Sequence, residues 1–483
     1  MSGGEGERLG PLSARQWAFV LAAITAVAIA DDLLRIPVQV SDALEEILAA
    51  YRSPSALASF WRATFNAAYL RPFRIAQIKL LFDLADGHYW LAYRGFHALL
   101  LVVFVLLFTR ALRVRTATDL VAAAFGLAVL TGLHTFRTLI QEAFPINHFL
   151  EIAVLALGTL VLAQGPRRLW TDGVAVLLFV VAVLTLESGV LIWVVAVSAW
   201  TFGLRGISAR GLAAMTLLLG GYFYLRFVTL SVGMPTLAER SSGYLFEVLE
   251  PAQLQERFGD RVWWLRAYNV GSSILSVLFS EPRSGLFAIT RSWKEHQVIT
   301  FQVIAVVSSA ITTGFILAAV PKAWRALRRT PAAADGDGTG ALVGIAGAVI
   351  VASAVVSFAY TKDDIMSTAG AFYAVAAYAA VRGAAGALRN RGRATAAGLT
   401  ALLFIASATW MSRSLGIHHV ASAAAFKTRN DWGLQPGQWA REGRWPSRAD
   451  ERRLLERLRA EALAMPAPNP KFDWPWADRV WGD

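Results

Sequence analysis

Cysteine is missing from the sequence altogether, which excludes disulfides, thiolate metal sites and a cysteine nucleophile. Charge is scarce as well: Asp, Glu, Lys and Arg make up 17% of the 483 residues, against 56% hydrophobic. A mean hydropathy of +0.47 and several apolar runs too long for core helices point to membrane crossing. Signatures of soluble catalysis are lacking too. The chain holds no P-loop, no H-E-x-x-H and no G-x-S-x-G, and His418-His419 have no partners at a ligand spacing, so they read as ordinary surface residues. Lys and Arg outnumber Asp and Glu by 46 to 34. That excess falls mostly in short links between apolar runs, where it sets membrane orientation instead of building a nucleic-acid surface.

What is present predicts an all-α polytopic membrane protein of about eleven transmembrane helices. The first apolar segment, Trp17 to Ala30, runs directly into Asp31 and Asp32. Arg8 and Arg15 precede it, which puts the N-terminus in the cytoplasm and the acidic pair outside. Ala28-Ile29-Ala30 also fits a signal-peptidase site. An uncleaved anchor is preferred, because many spans follow and cleavage would free the acidic pair from the helix that positions it. An outer loop over 31–94 is too polar to span. Its apolar residues still recur at helical spacing, as in Ala43, Ile47, Ala50 and Tyr51, or Ile75, Ile78, Leu81 and Phe82, so amphipathic helices lying on the outer membrane face are expected there.

Spans are expected at 95–109, 118–134 and 147–163, separated by Arg110/Arg113/Arg115 and Arg167/Arg168. The run from Gly173 to Leu204 would reach about 48 Å as one helix, against a hydrocarbon core of about 30 Å. Basic residues flank it on both sides, so it should turn at Glu187-Ser188-Gly189, its only polar interruption, and hold Glu187 at the outer surface. A seventh span, 211–232, carries Arg226 near its outer end. A second outer loop, 233–298, is rich in interfacial aromatics such as Tyr244, Trp263, Trp264, Tyr268 and Trp293. Spans at 299–320, 341–360, 367–385 and 395–411 complete a transmembrane domain over 1–411, with a short outer turn at Thr361-Lys362-Asp363-Asp364. Residues 412–483 form an extracytoplasmic tail with a charged helix near Arg448 to Leu463. A multi-pass protein of the cell (inner or plasma) membrane is implied, with its C-terminus outside.

This topology gathers Asp31, Asp32, Arg71, Arg74, Glu142, Glu187, Arg226, Lys362, Asp363 and Asp364 on the outer side. Adjacent carboxylates favour sharing a proton and suit a base, while arginine and lysine at a lipid surface suit a phosphate that leaves with negative charge. Arg226 is the hardest to explain as idle, since an arginine within a span costs about 2.5 to 3.5 kcal/mol on insertion scales unless it snorkels or pairs. No cofactor is implied. A divalent metal is compatible with the carboxylates, but no spacing calls for one.

In their order, these motifs resemble the GT-C superfamily of membrane glycosyltransferases, closest to the protein O-mannosyltransferase-like group and the mannosyltransferases with TPR repeats. The parallel runs from the acidic pair after the first span through Arg71-Pro72-Phe73 and the G-H-Y-W-L-A-Y-R-G-F-H stretch from Gly87 to His97. It continues with Gln141-Glu142, Leu186-Glu187-Ser188-Gly189 and Tyr222-x-Tyr224-Leu225-Arg226, and ends at Tyr360 to Ala371. Asp32 stands where the mannosyltransferases commonly have Glu, Lys362 where they have Arg, and no TPR repeats follow, so the sugar and the acceptor stay open. The resemblance implies transfer of a sugar from a polyprenyl-phosphate-linked donor to an acceptor hydroxyl on a glycan, lipid or protein, usually with inversion. Asp31 or Asp32 would then serve as general base, and Arg71, Arg74, Arg226 and Lys362 would hold the lipid phosphate, with Glu142 and Glu187 beside them. A multi-span transporter or lipid flippase, or a non-catalytic scaffold of the same architecture, is the alternative.

Overall fold

A reciprocal cap opens the first long helix: Ser13 N–H donates to Gln16 Oε1 at 2.8 Å, and Gln16 N–H donates to Ser13 Oγ at 3.3 Å. Just before it, the short strands β1 (Arg8–Leu9) and β2 (Leu12–Ser13) pair antiparallel. The structure, a computed structural model, describes residues 7–40, 42–66, 69–142, 145–230, 241–243, 246–279, 286–328, 338–388, 392–443 and 446–481.

The cap starts α1 (Ala14–Leu34), followed by α2 (Asp42–Arg52), α3 (Ala56–Asn66) and α4 (Pro72–Leu84). Next come α5 (Tyr89–Leu112), α6 (Ala117–Gly132), α7 (His134–Gln141), α8 (His148–Gln164), α9 (Leu169–Thr185) and α10 (Val190–Thr201). α11 (Ala209–Phe223) passes into a π-helical turn, Tyr224–Thr229. A small hairpin, β3 (Ser241–Gly243) with β4 (Phe246–Leu249), precedes α12 (Pro251–Phe258), α13 (Val262–Phe279) and α14 (Leu286–Lys294). The chain closes with α15 (Thr300–Arg328), α16 (Thr339–Val356), α17 (Ser367–Leu388), α18 (Arg393–Arg441), α19 (Ala449–Ala464), α20 (Pro470–Asp473) and α21 (Pro475–Trp481).

Among the described residues, seven helices are long and apolar enough to cross a membrane: α1, α5, α11 with its π turn, α15, α16, α17 with the turn before it, and α18. The pair α6 and α7, bent by 59°, makes an eighth if taken as one broken span, and the apolar helices α8, α9 and α10 are shorter. The protein is thus an all-α polytopic membrane protein. Its innermost helix is α17, whose alanines and Phe372, Tyr373 and Tyr378 are buried against α6, α8, α15 and α16. Small residues let helix backbones approach where lipid offers no hydrophobic drive to associate. Ala14, Ala18, Ala22 and Ala26 do the same for α1 against α5.

The expected break in the 173–204 run is found. α9 ends at Thr185, a 3-10 turn covers Glu187–Gly189, and α10 begins at Val190. The turn is tight: a Cβ on Gly189 would come within 2.5 Å of Val183 N, so only glycine admits this closeness of the two helices.

Three expectations change. The helix expected over 395–411 does not stop there; α18 continues to Arg441, and the boundary drawn at 411 falls inside it. Hydropathy drops beyond Met411, but a buried face including Ile417, Val420, Ala421, Ala425 and Trp432 carries the helix on. Secondly, the helices of the 31–94 loop are not simply spread on a membrane face. With the start of α5 and the tail they form a second core, in which Val38, Leu44, Ile47, Ile78, Tyr93 and Trp432 meet Leu454, Leu455 and Leu458. Trp432 Nε1 donates to Val38 O at 2.7 Å, and Arg52 donates twice to Glu451, each at 2.8 Å. On α3, Leu57, Trp61 and Phe65 remain exposed. Thirdly, α13, expected in an interfacial loop, packs against α15 and α16, with Asn269 Nδ2 donating to Phe358 O at 2.9 Å. Trp263 and Trp264 on its first turn are exposed, as an aromatic belt requires, whereas Tyr244 lies outside the described residues.

Candidate functional site

Hydrogen bonds from Arg71 to Glu187, from Gln77 to Glu151 and between His97 and Leu139 bring the segment joining α1 to α5, the turn between α9 and α10 and the start of α8 together, here called the Asp31 end. Arg71 is the N-cap residue of α4, with Pro72 at the first helical position. It donates to Glu187 Oε2 from Nε at 3.0 Å and from Nη2 at 2.6 Å. From the other side, Arg226 Nη1 donates to Glu187 Oε1 at 3.1 Å and to the Tyr222 hydroxyl at 2.8 Å. Tyr222 lies four residues before Arg226, and the π turn that carries Arg226 is a distortion often found at functional sites. The Arg226 side chain is only 6% exposed, those of Arg71 and Glu187 27% and 29%. Tyr69 lies under the Arg71 guanidinium at 4.4 Å and Phe227 under that of Arg226 at 5.3 Å.

One helical turn beyond Arg71, Arg74 pairs with Glu46 of α2. Burial draws the Arg74 guanidinium below arginine's usual value, Glu46 opposes this, and Arg71 adds to it. Gln77, on the next turn, donates to Glu151 at 3.3 Å, and His148 Nδ1 lies 3.1 Å from the same carboxylate. Two donors of this cluster, Arg74 Nε and Arg226 Nε, are buried without an acceptor. Native proteins seldom leave such groups unused. The arrangement offers spare guanidinium N–H groups beside two half-neutralised cations, which is the chemistry of an anion site.

The acidic pair has other partners. Asp31 is bridged to Arg35, both side chains being 62% exposed, and Asp32 is bonded to His418 of α18. Among the described residues no hydrogen bond or ion pair joins Asp31 or Asp32 to the Arg71–Glu187–Arg226 cluster. Glu142 caps α7; its carbonyl accepts from Asn147 Nδ2 at 2.6 Å, and its carboxylate interacts with Arg94. Lys362 Nζ lies 5.3 Å from the Tyr360 ring centre, and neighbouring Asp363 is 3.7 Å from His134.

Within the Gly87–His97 stretch, two polar residues hold the backbone around these groups. Arg94 donates to Pro37 O at 2.7 Å and Ile36 O at 3.0 Å, and His97 Nε2 is 2.8 Å from Leu139 O. They tie the chain leaving α1 and the end of α7 to α5.

Several partners carry no local sequence signal. Glu46 is one of two adjacent glutamates on α2, His148 and Glu151 stand one turn apart at the start of α8 with nothing local to point at α4, and His418 lies 386 residues from Asp32. The reading of His418-His419 as surface residues is corrected: His419 is buried beside Trp474 and Trp481, and His418 is part-buried against Asp32. Among the described residues no three His, Asp or Glu side chains converge as metal ligands.

Fold and site together define a polytopic helical membrane protein with a charged cluster at one end of its bundle. Comparison of the chain with known protein families, with curated proteins and with solved structures finds no match.

Proposed function

We propose that the protein is a membrane glycosyltransferase of GT-C type, moving a sugar from a polyprenyl-phosphate-linked donor to an acceptor hydroxyl on the extracytoplasmic side. The observation that carries the reading is the convergence of Arg71, Glu187 and Arg226. These residues come from three motifs that the resemblance marks in separate parts of the chain. In this reading the short helices α8, α9 and α10 and the bent α6–α7 pair also cross, which makes eleven crossings, with the N-terminus cytoplasmic and the Asp31 end outside. As the glycosidic bond breaks, negative charge grows on the lipid phosphate, and Arg71, Arg74 and Arg226 stabilise it, Arg74 and Arg226 each with an Nε–H that has no acceptor. Lys362, in the turn before α17, supplies a further cation as a point charge. The acceptor proton goes to the acidic pair. Asp31, the more exposed of the two, is the one a hydroxyl reaches, while His418 holds Asp32.

Transfer is measured in proteoliposomes with a defined polyprenyl-phosphate sugar, beside a melting assay. Asp31→Asn should lower the rate by about 10²- to 10⁴-fold, the range for losing a general base. Arg226→Lys should hurt more than Lys362→Arg, because a guanidinium holds phosphate oxygens in a fixed fork. If wild-type protein transfers no sugar from any polyprenyl-phosphate donor, or if Asp31→Asn and Asp32→Asn both keep full activity, the reading fails.

A further inference from the structure

At the opposite end of the bundle, the C-terminus of α5 and the N-terminus of α1 enclose a cleft of about 190 Å³ lined by Arg15, Arg110, Arg113 and Arg115, with Ala18, Phe19 and Val114 as its apolar wall. Four arginines line this one space, and among the described residues no Asp or Glu lines it. The two nearest acidic side chains in sequence are occupied by the start of α6. Glu7 accepts from Ala117 N–H at 2.8 Å, and Asp119 accepts from the N–H groups of Arg115 and Thr116 at 2.9 and 3.0 Å. Among the described residues none of the four arginines forms a salt bridge. Arg113 Nη2 donates to Gln164 O at 2.9 Å and Arg15 lies over the Phe19 ring; neither contact neutralises a charge.

The backbone adds to the picture. Arg113 caps α5 in the left-handed region, φ 55° and ψ 46°, a position that ordinarily falls to glycine. All four arginine side chains are exposed, so water and salt screen part of their mutual repulsion, and an anion seated among them relieves the rest. Burial, Arg115 and Arg110 all draw the Arg113 guanidinium below arginine's usual value. Orientation by the positive-inside rule needs basic residues in this link, but it does not need them to line one cleft with residues of α1.

We propose that this cleft is a binding site for a phosphate group, supplied by the headgroup of an anionic phospholipid in the leaflet it faces. Guanidinium groups bind phosphate oxygens in pairs, and the wall of Ala18, Phe19 and Val114 suits the glycerol and acyl-chain side of a lipid. Inorganic phosphate offers the same chemistry from solution. The site is independent of the transfer reaction proposed at the Asp31 end.

The test uses the full chain, purified and delipidated in neutral detergent. Its melting temperature is followed while phosphatidylglycerol, phosphatidylcholine or inorganic phosphate is added, and retained lipid is read by native mass spectrometry. Phosphatidylglycerol should stabilise and be retained where phosphatidylcholine is not, and the effect should fade with salt. Arg110→Gln with Arg113→Gln should weaken the apparent affinity by at least about tenfold, the loss expected when charge-assisted hydrogen bonds are removed. Arg15→Gln, on a separate helix, should act in the same direction, and the lysine pair Arg110→Lys with Arg113→Lys should restore most of it. Arg325→Gln, in the last turn of α15 and outside the cleft, should change nothing. Stabilisation by inorganic phosphate alone, lost in the same glutamine variants, also supports the site and assigns the ligand to solution. Equal retention of phosphatidylglycerol in wild type and in both glutamine variants, or equal effects of phosphatidylcholine, overturns the proposal.

Discussion

Glu187 stands between two cations, so removing it should do more harm than removing either arginine. Glu187→Ala leaves Arg71 and Arg226 facing one another with nothing between them. Arg226 has little water to fall back on, its side chain being 6% exposed, whereas Arg71, at 27%, recovers part of its solvation. A partner removed from a buried ion pair costs about 3 to 5 kcal/mol, and a hydrogen bond to a charged group about 1.5 to 3 kcal/mol. The expected cost of Glu187→Ala is therefore about 3 to 4 kcal/mol. Arg71→Ala leaves Glu187 bonded to Arg226 and should cost about 1 to 2 kcal/mol. Adding Arg71→Ala to Glu187→Ala should then be neutral or partly restoring, since it removes the repulsion between the two guanidinium groups. Reversible unfolding of the purified protein in mixed micelles, followed by tryptophan fluorescence for all variants of the cycle, measures these differences. A cost for Glu187→Ala below about 0.5 kcal/mol, the range of an ordinary surface substitution, would refute the placement of Glu187 as the link between the two cations. Strictly additive single and double variants would do the same.

Gly189→Ala should displace Glu187 without touching any charge, because the added methyl meets the backbone of Ala182 and Val183. Lower stability than wild type together with lost Arg71–Glu187 coupling is expected in the same unfolding assay; an unchanged melting curve would count against so close an approach. Acid should loosen the tail from the second core. The hydrogen bonds from Arg52 hold Glu451 below its usual value, and Arg448, then Tyr51, push Asp450 down to about 2. Both carboxylates are depressed in the folded state, so their contribution is present above the ordinary carboxylate range and is lost as pH falls through the folded values. Spin labels on Ala49→Cys and Glu456→Cys, in a chain with no cysteine of its own, should keep a fixed separation at neutral pH and draw apart below about pH 4, near the unfolded carboxylate values. A separation that stays constant to well below pH 2, past the folded value of Asp450, would show that these ion pairs do not hold the tail.

Helix placement was available from the sequence because hydropathy and the positions of basic links are local properties: a run of apolar residues must be a helix to satisfy its backbone in lipid, wherever its neighbours lie. The break at Glu187-Ser188-Gly189 followed from length, basic flanks and the one polar interruption together, since one helix over 173–204 overshoots a bilayer of about 30 Å and both flanks belong on one side. Which helix ends meet is a different matter, and only the tertiary structure decided it. Arg71 and Glu187 are 116 residues apart, Glu187 and Arg226 39, and Asp32 and His418 386; no periodicity spans such separations. Hydropathy also ended the last expected helix at 411, where α18 runs on to Arg441 because its later turns bury a face against protein. The same long helix brings the tail back onto α2, so that Arg52 meets Glu451 and Trp432 reaches Val38. The acidic pair and Arg226, grouped by their shared side of the membrane, form separate clusters because a charge pairs with whatever side chain packing leaves within about 3 Å of it, and packing is a property of the whole bundle.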